Sequence, residues 1–169
     1  MNRSDLLEDF FTSRHLEIPQ ISIRLGLSRV SAVAKKMGLL NPRAKLLIVG
    51  GTNGKGSTLK TAEQYLVQAG FSVGGYTSPH LIHYRERVRI QGEAVSDALL
   101  QTSFEQVLSH MDLSDPLSYF EFGTLSALWC FQEANLDYWL LEVGLGGRLD
   151  AVNILSADVS VITSIDFDH

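Results

Sequence analysis

The chain has 169 residues, 45% of them hydrophobic and 20% charged, a size and mixture that suit one globular domain and exclude the disordered and fibrous classes. A formal net charge of −5 argues against a nucleic-acid partner, whose phosphates call for clustered Lys and Arg. A lone cysteine, Cys130, excludes an internal disulfide and a cysteine-rich zinc site, and the acidic residues of the opening MNRSDLLEDFF, with no later apolar run near about 18 residues, lead us to expect a soluble cytoplasmic protein with no membrane partner.

Ser4 or Asp5 is placed to cap a first helix reaching about His15, with Leu6, Leu7, Phe10 and Phe11 on its apolar face. After a loop at Pro19, Ser28 is placed to cap a second helix, in which Val30, Val33, Ala34 and Met37 recur at helical spacing and Gly38 supplies a stop. LLIVG (46–50) reads as a strand, a glycine loop follows, and LKTAEQYLVQAG (59–70) has a helical pattern. FSVGGYTS (71–78) reads as a second strand. ERVRIQG (86–92) alternates at period two, as a half-exposed strand or hairpin arm does, and Arg85, Arg87 and Arg89, suited in principle to face an anionic substrate tail, are read first as a charged side facing water.

Ser96 is placed to cap a helix over 97–111, the loop around Pro116 follows, and a long helix is expected over 120–135. YWLLEV (138–143) reads as a buried strand ending in an acid, GLGGRLDAVN (144–153) as a loop, and DVSVITS (158–164) as the last strand. Strands separated by helical segments predict βαβ units, and so an α/β fold with a mostly parallel sheet flanked by helices.

The loop GTNGKGST (51–58) carries the chemistry. Gly51, Gly54 and Gly56 let the backbone turn tightly and bring several N–H groups near a phosphate, the following helix aims its positive dipole end at the same place, and Lys55 adds a full charge. The strict P-loop pattern fails: Val49 stands at its first glycine, and Gly56 intervenes between Lys55 and Ser57. An ordinary strand-to-helix turn would need glycines too; the apolar strand before, the lysine within and the Ser-Thr start after favour nucleotide binding. For the divalent cation that phosphoryl transfer requires, chemistry alone nominates Glu142, Asp166 and Asp168, acids at strand ends.

GTNGKGST resembles the Mur-ligase-like ATPases and, within them, the dihydrofolate synthase/folylpolyglutamate synthase family. GYTSPHL (75–81), RERVRIQG (85–92), YFEFGTLSALW (119–129), LLEVGLGGRLDAVN (140–153) and ITSIDFDH (162–169) resemble the same family, from about Ile23 to the end. The resemblance implies a P-loop NTPase-like domain, here a truncated Mur-ligase-like central domain over 1–169, with the C-terminal glutamate-ligase domain and the family's carbamylated lysine beyond it. It implies ATP and Mg2+ as cofactors, and ATP held by Thr52, Asn53, Gly54, Lys55, Gly56 and Ser57, with Lys55 catalytic. It also implies Ser78, Glu142 and His169 as metal ligands in place of the two aspartates.

The implied reaction joins L-glutamate to dihydropteroate, or to the γ-carboxylate of folates, through an acyl phosphate. It needs no nucleophilic side chain. The pterin would meet Arg24, Leu25 and Gly26, then Ser118, Tyr119, Phe120 and Glu121, then Leu149, Asp150 and Ala151. In that pocket Tyr119 and Phe120 are suited to stack on a flat heterocycle, and Glu121 and Asp150 to accept from its N–H groups. Phe120, Phe122, Leu125, Leu128 and Trp129 are read first as helix core, Cys130 as a small buried residue, and His80 and His83 as lacking metal-site spacing. Val152 stands where the family usually has Thr. Members of the family are expected to be monomers, and this chain alone is expected to bind nucleotide weakly without ligating. Two rival readings are a Mur-type cell-wall ligase, which would lack YFEFGTLSALW and RLDAVN in this form, and a nucleotide-binding module that does no chemistry.

Overall fold

The structure, a computed structural model, describes residues 5–14, 16 and 26–166. Arg24, Leu25, Asp168 and His169, named above, lie outside the described residues, as do Ser4 and His15. Among the described residues the chain runs through helices α1 (Leu6–Ser13) and α2 (Ser28–Lys36), strand β1 (Lys45–Gly50), α3 (Lys55–Gln68), β2 (Val73–Tyr76), β3 (Val88–Ile90), β4 (Glu93–Ala94), α4 (Asp97–His110), α5 (Tyr119–Glu133), β5 (Tyr138–Glu142) and β6 (Val159–Ile162), with 3-10 turns at Tyr84–Arg87 and Ala151–Ile154.

The strands form one sheet in the order β4-β3-β2-β5-β1-β6. β2, β5, β1 and β6 are parallel, while β3 and β4 add antiparallel at one edge. This is the expected α/β arrangement, and strand alternation explains its two layers. Val49, Val73 and Leu140 point to one face, where Leu59 of α3 covers them. Leu46, Ile48, Trp139 and Leu141 point to the other, under α1, α2, α4 and α5. Phe122, Leu125 and Leu128 are fully buried there, as the core reading of α5 expects.

The caps hold with one exception. Asp5 accepts from the amides of Leu7 and Glu8, and Ser96 from that of Leu99. Ser28, expected to cap α2, is instead its first residue, and Leu27 precedes it without a side-chain cap. Gly38, at φ 72°, ends that helix as expected.

The reading of 86–92 needs a larger correction. Its first residues form the 3-10 turn and only Val88–Ile90 is strand. β3 lies between β2 and β4; Arg89 reaches across β2 to Glu63 of α3, and Arg87 bonds to His80 beside the Tyr84 and Tyr119 rings, so both turn inward and only Arg85 stays exposed.

Candidate functional site

The parallel strands end on one side, where an open α/β sheet places its crevice. β1 leads through Gly51–Gly54 into α3, whose first amides lie beyond the reach of intrahelical acceptors and aim the positive end of the helix dipole into that crevice. Gly54, at φ 82°, supplies the left-handed turn before Lys55. Lys55 Nζ donates to the Gly51 carbonyl at 2.8 Å and the Thr52 carbonyl at 3.1 Å, so its ammonium sits over the loop with a third N–H remaining.

The loop's other side is held by the chain after β6. Thr52 N donates to Ser164 O at 2.8 Å and Asn53 bridges Ser164, while Thr52 Oγ1 accepts from Asp166 N at 3.0 Å and donates to Asp166 O at 3.1 Å. Asp166 thus braces the loop through its backbone.

Glu142 closes β5 beside Val49 of β1 and is 5% exposed. Ser78, just past the end of β2 and joined by a cis bond to Pro79, donates its amide to Glu142 Oε2 at 3.1 Å. Burial pushes the Glu142 carboxyl above its ordinary value, and the Ser78 amide and the charges of Lys55 and Arg89 only partly offset it. Gly56, in the first turn of α3, faces this carboxylate, which stands 3.7 Å from where a Cβ would be. A cleft of about 420 Å³ opens here, with Gly56, Lys60, Ser78, Arg89 and Glu142 in its wall. Gly56 at the start of α3, Ser78 and Glu142 therefore share one crevice, with Lys55 near enough for its charge to act on Glu142, although they come from three separate stretches of sequence. Among the described residues no group of three or more His, Cys, Asp or Glu side chains stands together in a metal-holding cluster.

Of the described residues expected at a pterin, Ser118 to Glu121 form the start of α5. Ser118 accepts from the Glu121 amide while Glu121 accepts from the Ser118 amide, a reciprocal cap. The Glu121 carboxylate also takes a two-pronged bond from Arg29 of α2, at 2.8 Å from Nη2 to each oxygen. Tyr119 donates its hydroxyl to Asp5, and the Phe120 ring lies 5.9 Å from that of Tyr76. Asp150, 6% exposed, accepts from the amides of Gly144, Leu145 and Val152. Leu149 is exposed and Ala151 buried. Gly26, at φ 138°, precedes α2. The carboxylates of Glu121 and Asp150 are thus already engaged within the protein.

The sequence reading missed Glu63. It is fully buried on α3 and paired with Arg89; the available signal was its place four residues after Leu59, on the helix's apolar face. His80, which lacks metal-site spacing in the sequence, accepts from Arg87 Nε at its Nδ1 and turns Nε2 toward Asp5 at 3.8 Å.

No family model matches the chain. The dihydrofolate synthase/folylpolyglutamate synthase of Escherichia coli is 54% identical over 88% of this chain and 35% of its own length; that of Bacillus subtilis is 34% identical over 89% of this chain and 36% of its own. Among solved structures, E. coli FolC in complex with DHPP and ADP superposes with a TM-score of 0.87 at 50% identity, covering 98% of this chain and 39% of that one. A bifunctional folylpolyglutamate synthase/dihydrofolate synthase with Mn, AMPPNP and L-glutamate bound superposes with a TM-score of 0.85 at 50% identity, over 98% and 39%. Over the residues it spans, about a third of the length of the relatives it matches, the chain belongs to the dihydrofolate synthase/folylpolyglutamate synthase family.

Proposed function

We propose that this chain carries the nucleotide and metal side of an ATP-dependent ligase that joins L-glutamate to dihydropteroate, to the γ-carboxylate of folates, or to both. The observation that carries the reading is the meeting of the start of α3 and the Glu142–Ser78 pair in one crevice, with Lys55 near enough for its charge to act on Glu142, in a chain whose relatives bear that name. The binding of AMPPNP and Mn by the superposed bifunctional synthase supports the same ligand classes here.

In this reading the amides of Thr52 to Ser57 cradle the phosphates, and the third N–H of Lys55 meets the γ-phosphate, where negative charge grows during transfer. The donor set fits magnesium. Glu142 offers a hard carboxylate oxygen whose charge is under-compensated by its surroundings, and Ser78 brings a hydroxyl-bearing side chain beside it; His169 would complete the set. The cation, when bound, would offset phosphate charge. The protein's share is to hold the carboxylate acceptor of the substrate in line with the γ-phosphate and to shield their repulsion. The acyl phosphate so formed is opened by the amine of glutamate, releasing phosphate.

The pterin falls in this reading to Arg24, Leu25 and Gly26, to Ser118 to Glu121 and to Leu149 to Ala151. Because Glu121 and Asp150 already serve Arg29 and three backbone amides, their part is to shape the pocket as much as to touch the ring. The protein is assigned to the cytoplasm. Thermal melting with ATP, magnesium and dihydropteroate tests the reading: each ligand raises the melting temperature, Lys55→Ala and Glu142→Ala abolish the response to ATP and magnesium, and a chain indifferent to dihydropteroate overturns the folate assignment.

A further inference from the structure

Glu63 is 0% exposed on α3, the helix that begins at Lys55. It receives Arg89 Nε of β3 at 3.1 Å and Lys60 Nζ at 3.2 Å. Burying an ion pair costs desolvation that its attraction barely offsets, and an apolar pair of similar volume would serve the core as well. Stability alone does not account for it; the geometry does.

Arg89 is opposite Gly75 of β2, where a Cβ would come within 2.8 Å of Glu63 Oε1 and 2.9 Å of Arg89 Nη2. The strand is bare at that point, and the ion pair lies flat across it. From there Arg89 Nη1 donates to Thr77 Oγ1 at 2.8 Å and to the Glu86 carbonyl at 3.0 Å. Thr77 immediately precedes Ser78, whose amide holds Glu142. Glu86 in turn accepts from the amides of Leu81, Ile82 and His83, fixing the turn on the other side of Pro79. Lys60 adds a bond to the Gly92 carbonyl at 3.1 Å, tying α3 to the β3–β4 turn.

We propose that Arg89 is a positioning residue: anchored on α3 by Glu63, it fixes Thr77 and the turn at Glu86 so that Ser78 and Glu142 face the cation at a set distance from the phosphate loop. The inference rests on the reading of Ser78 and Glu142 as metal ligands. One guanidinium spans three elements here, and a lysine ammonium in its place cannot reach Glu63, Thr77 and the Glu86 carbonyl together.

The test uses the 169-residue chain with Arg89→Lys, Thr77→Val and Glu142→Ala. It measures Mn2+ affinity in the presence of AMPPNP, AMPPNP affinity in EDTA, and hydrogen exchange of the Ser78 amide without ligand. Arg89→Lys and Thr77→Val are expected to lower Mn2+ affinity by roughly 10- to 100-fold, the usual effect of removing a residue that orients a ligand. They are also expected to speed exchange at Ser78 and to leave AMPPNP affinity in EDTA unchanged. Parent Mn2+ affinity in both variants, beside a loss in Glu142→Ala, overturns the inference alone. An equal loss of AMPPNP affinity with and without metal also overturns it, since that marks a general structural role. A parent chain that binds no Mn2+, or a Glu142→Ala variant that binds it normally, overturns the metal reading and the inference with it. If Arg89→Lys does not fold, Thr77→Val decides.

Discussion

The Ser78 amide donates to Oε2 of Glu142 across 3.1 Å, joining the end of β2 to the end of β5. Both strands are parallel neighbours in the sheet, with Tyr76 opposite Leu141, so the contact costs the chain no detour: Ser78 lies two residues past that register pair and Glu142 one, and the two ends are already adjacent. The carboxylate nevertheless remains poorly compensated, because a single amide and two cations at a distance do not replace the water lost on burial.

That imbalance sets the sign of the contribution Glu142 makes to the pH dependence of stability. The folded pKa of Glu142 is raised above its unfolded value, so its contribution is present below the ordinary carboxylate range and is lost as pH rises through the raised value. Glu142→Gln therefore melts higher than the parent at about pH 7 and converges with it near about pH 4, in thermal scans across that range. Mn2+ affinity of the parent follows the opposite course, rising with pH as the proton leaves the oxygen the cation needs. A Glu142→Gln variant less stable than the parent at neutral pH would show that the buried charge is fully compensated.

The glycines of the loop are not equivalent. Gly51 has φ 132°, and a Cβ there would stand 2.1 Å from Thr163 Oγ1. Gly51→Ala must displace the β6 tail that braces Thr52 and Asn53, and the expected loss is at least about 1–3 kcal/mol, together with loss of AMPPNP binding. At Gly56 a Cβ would meet the Glu142 oxygens only at 3.7 Å, within a helix where alanine is favoured by roughly 0.5–1 kcal/mol. Gly56→Ala is expected to be stabilising in urea denaturation; a loss comparable to that of Gly51→Ala would count against this steric account.

The pattern of these residues explains what the sequence made visible. The β1-loop-α3 unit was legible because an apolar run, glycines and a lysine carry separate signals within twenty residues, each with its own physical cause. Arg89 was not, because period-two alternation reports which residues share a face and not which face meets water. For Arg89 the answer depended on α3 lying over the neighbouring β2, within reach of its side chain, a contact between residues 26 apart in the chain. Ser118 and Glu121 had a local meaning that was available, the S-x-x-E spacing of a capping box ahead of an apolar run, and the sequence reading used them only as pterin contacts. Ser28 failed as a cap because the helix began one residue early, the least determinable kind of boundary.

The Arg29–Glu121 pair ties α2 to α5. The Arg29 side chain is 13% exposed and that of Glu121 6%, so removing one partner strands the other. Glu121→Met is expected to cost roughly 3 kcal/mol, near the lower end for a broken buried pair because Arg29 retains Asp115 at 3.9 Å. The double variant Arg29→Met with Glu121→Met recovers more than half of that loss, since it leaves no unpaired charge. Additive losses in the double-mutant cycle would mean that the two side chains act independently.

Asp150 frames the loop that follows β5. Its Oδ2 accepts from the amides of Gly144 and Leu145, each at 2.9 Å, and its Oδ1 from that of Val152 at 3.1 Å, so one carboxylate turns the chain from the end of β5 into the 3-10 turn at Ala151–Ile154. Asp150→Ala leaves those donors without their acceptor in a buried place, an expected cost of roughly 2–3 kcal/mol. Asp150→Asn keeps one oxygen, which can serve either the Gly144 and Leu145 amides or that of Val152, while its NH2 faces the remaining N–H. It should therefore fall between alanine and the parent. Urea denaturation ranks the three chains, and hydrogen exchange at Gly144 and Leu145 locates the change: both amides exchange faster in the alanine variant. Should asparagine match the parent in both measurements, the frame would depend on shape and not on the count of acceptors, and Asp150 would be left with an oxygen to offer a ligand.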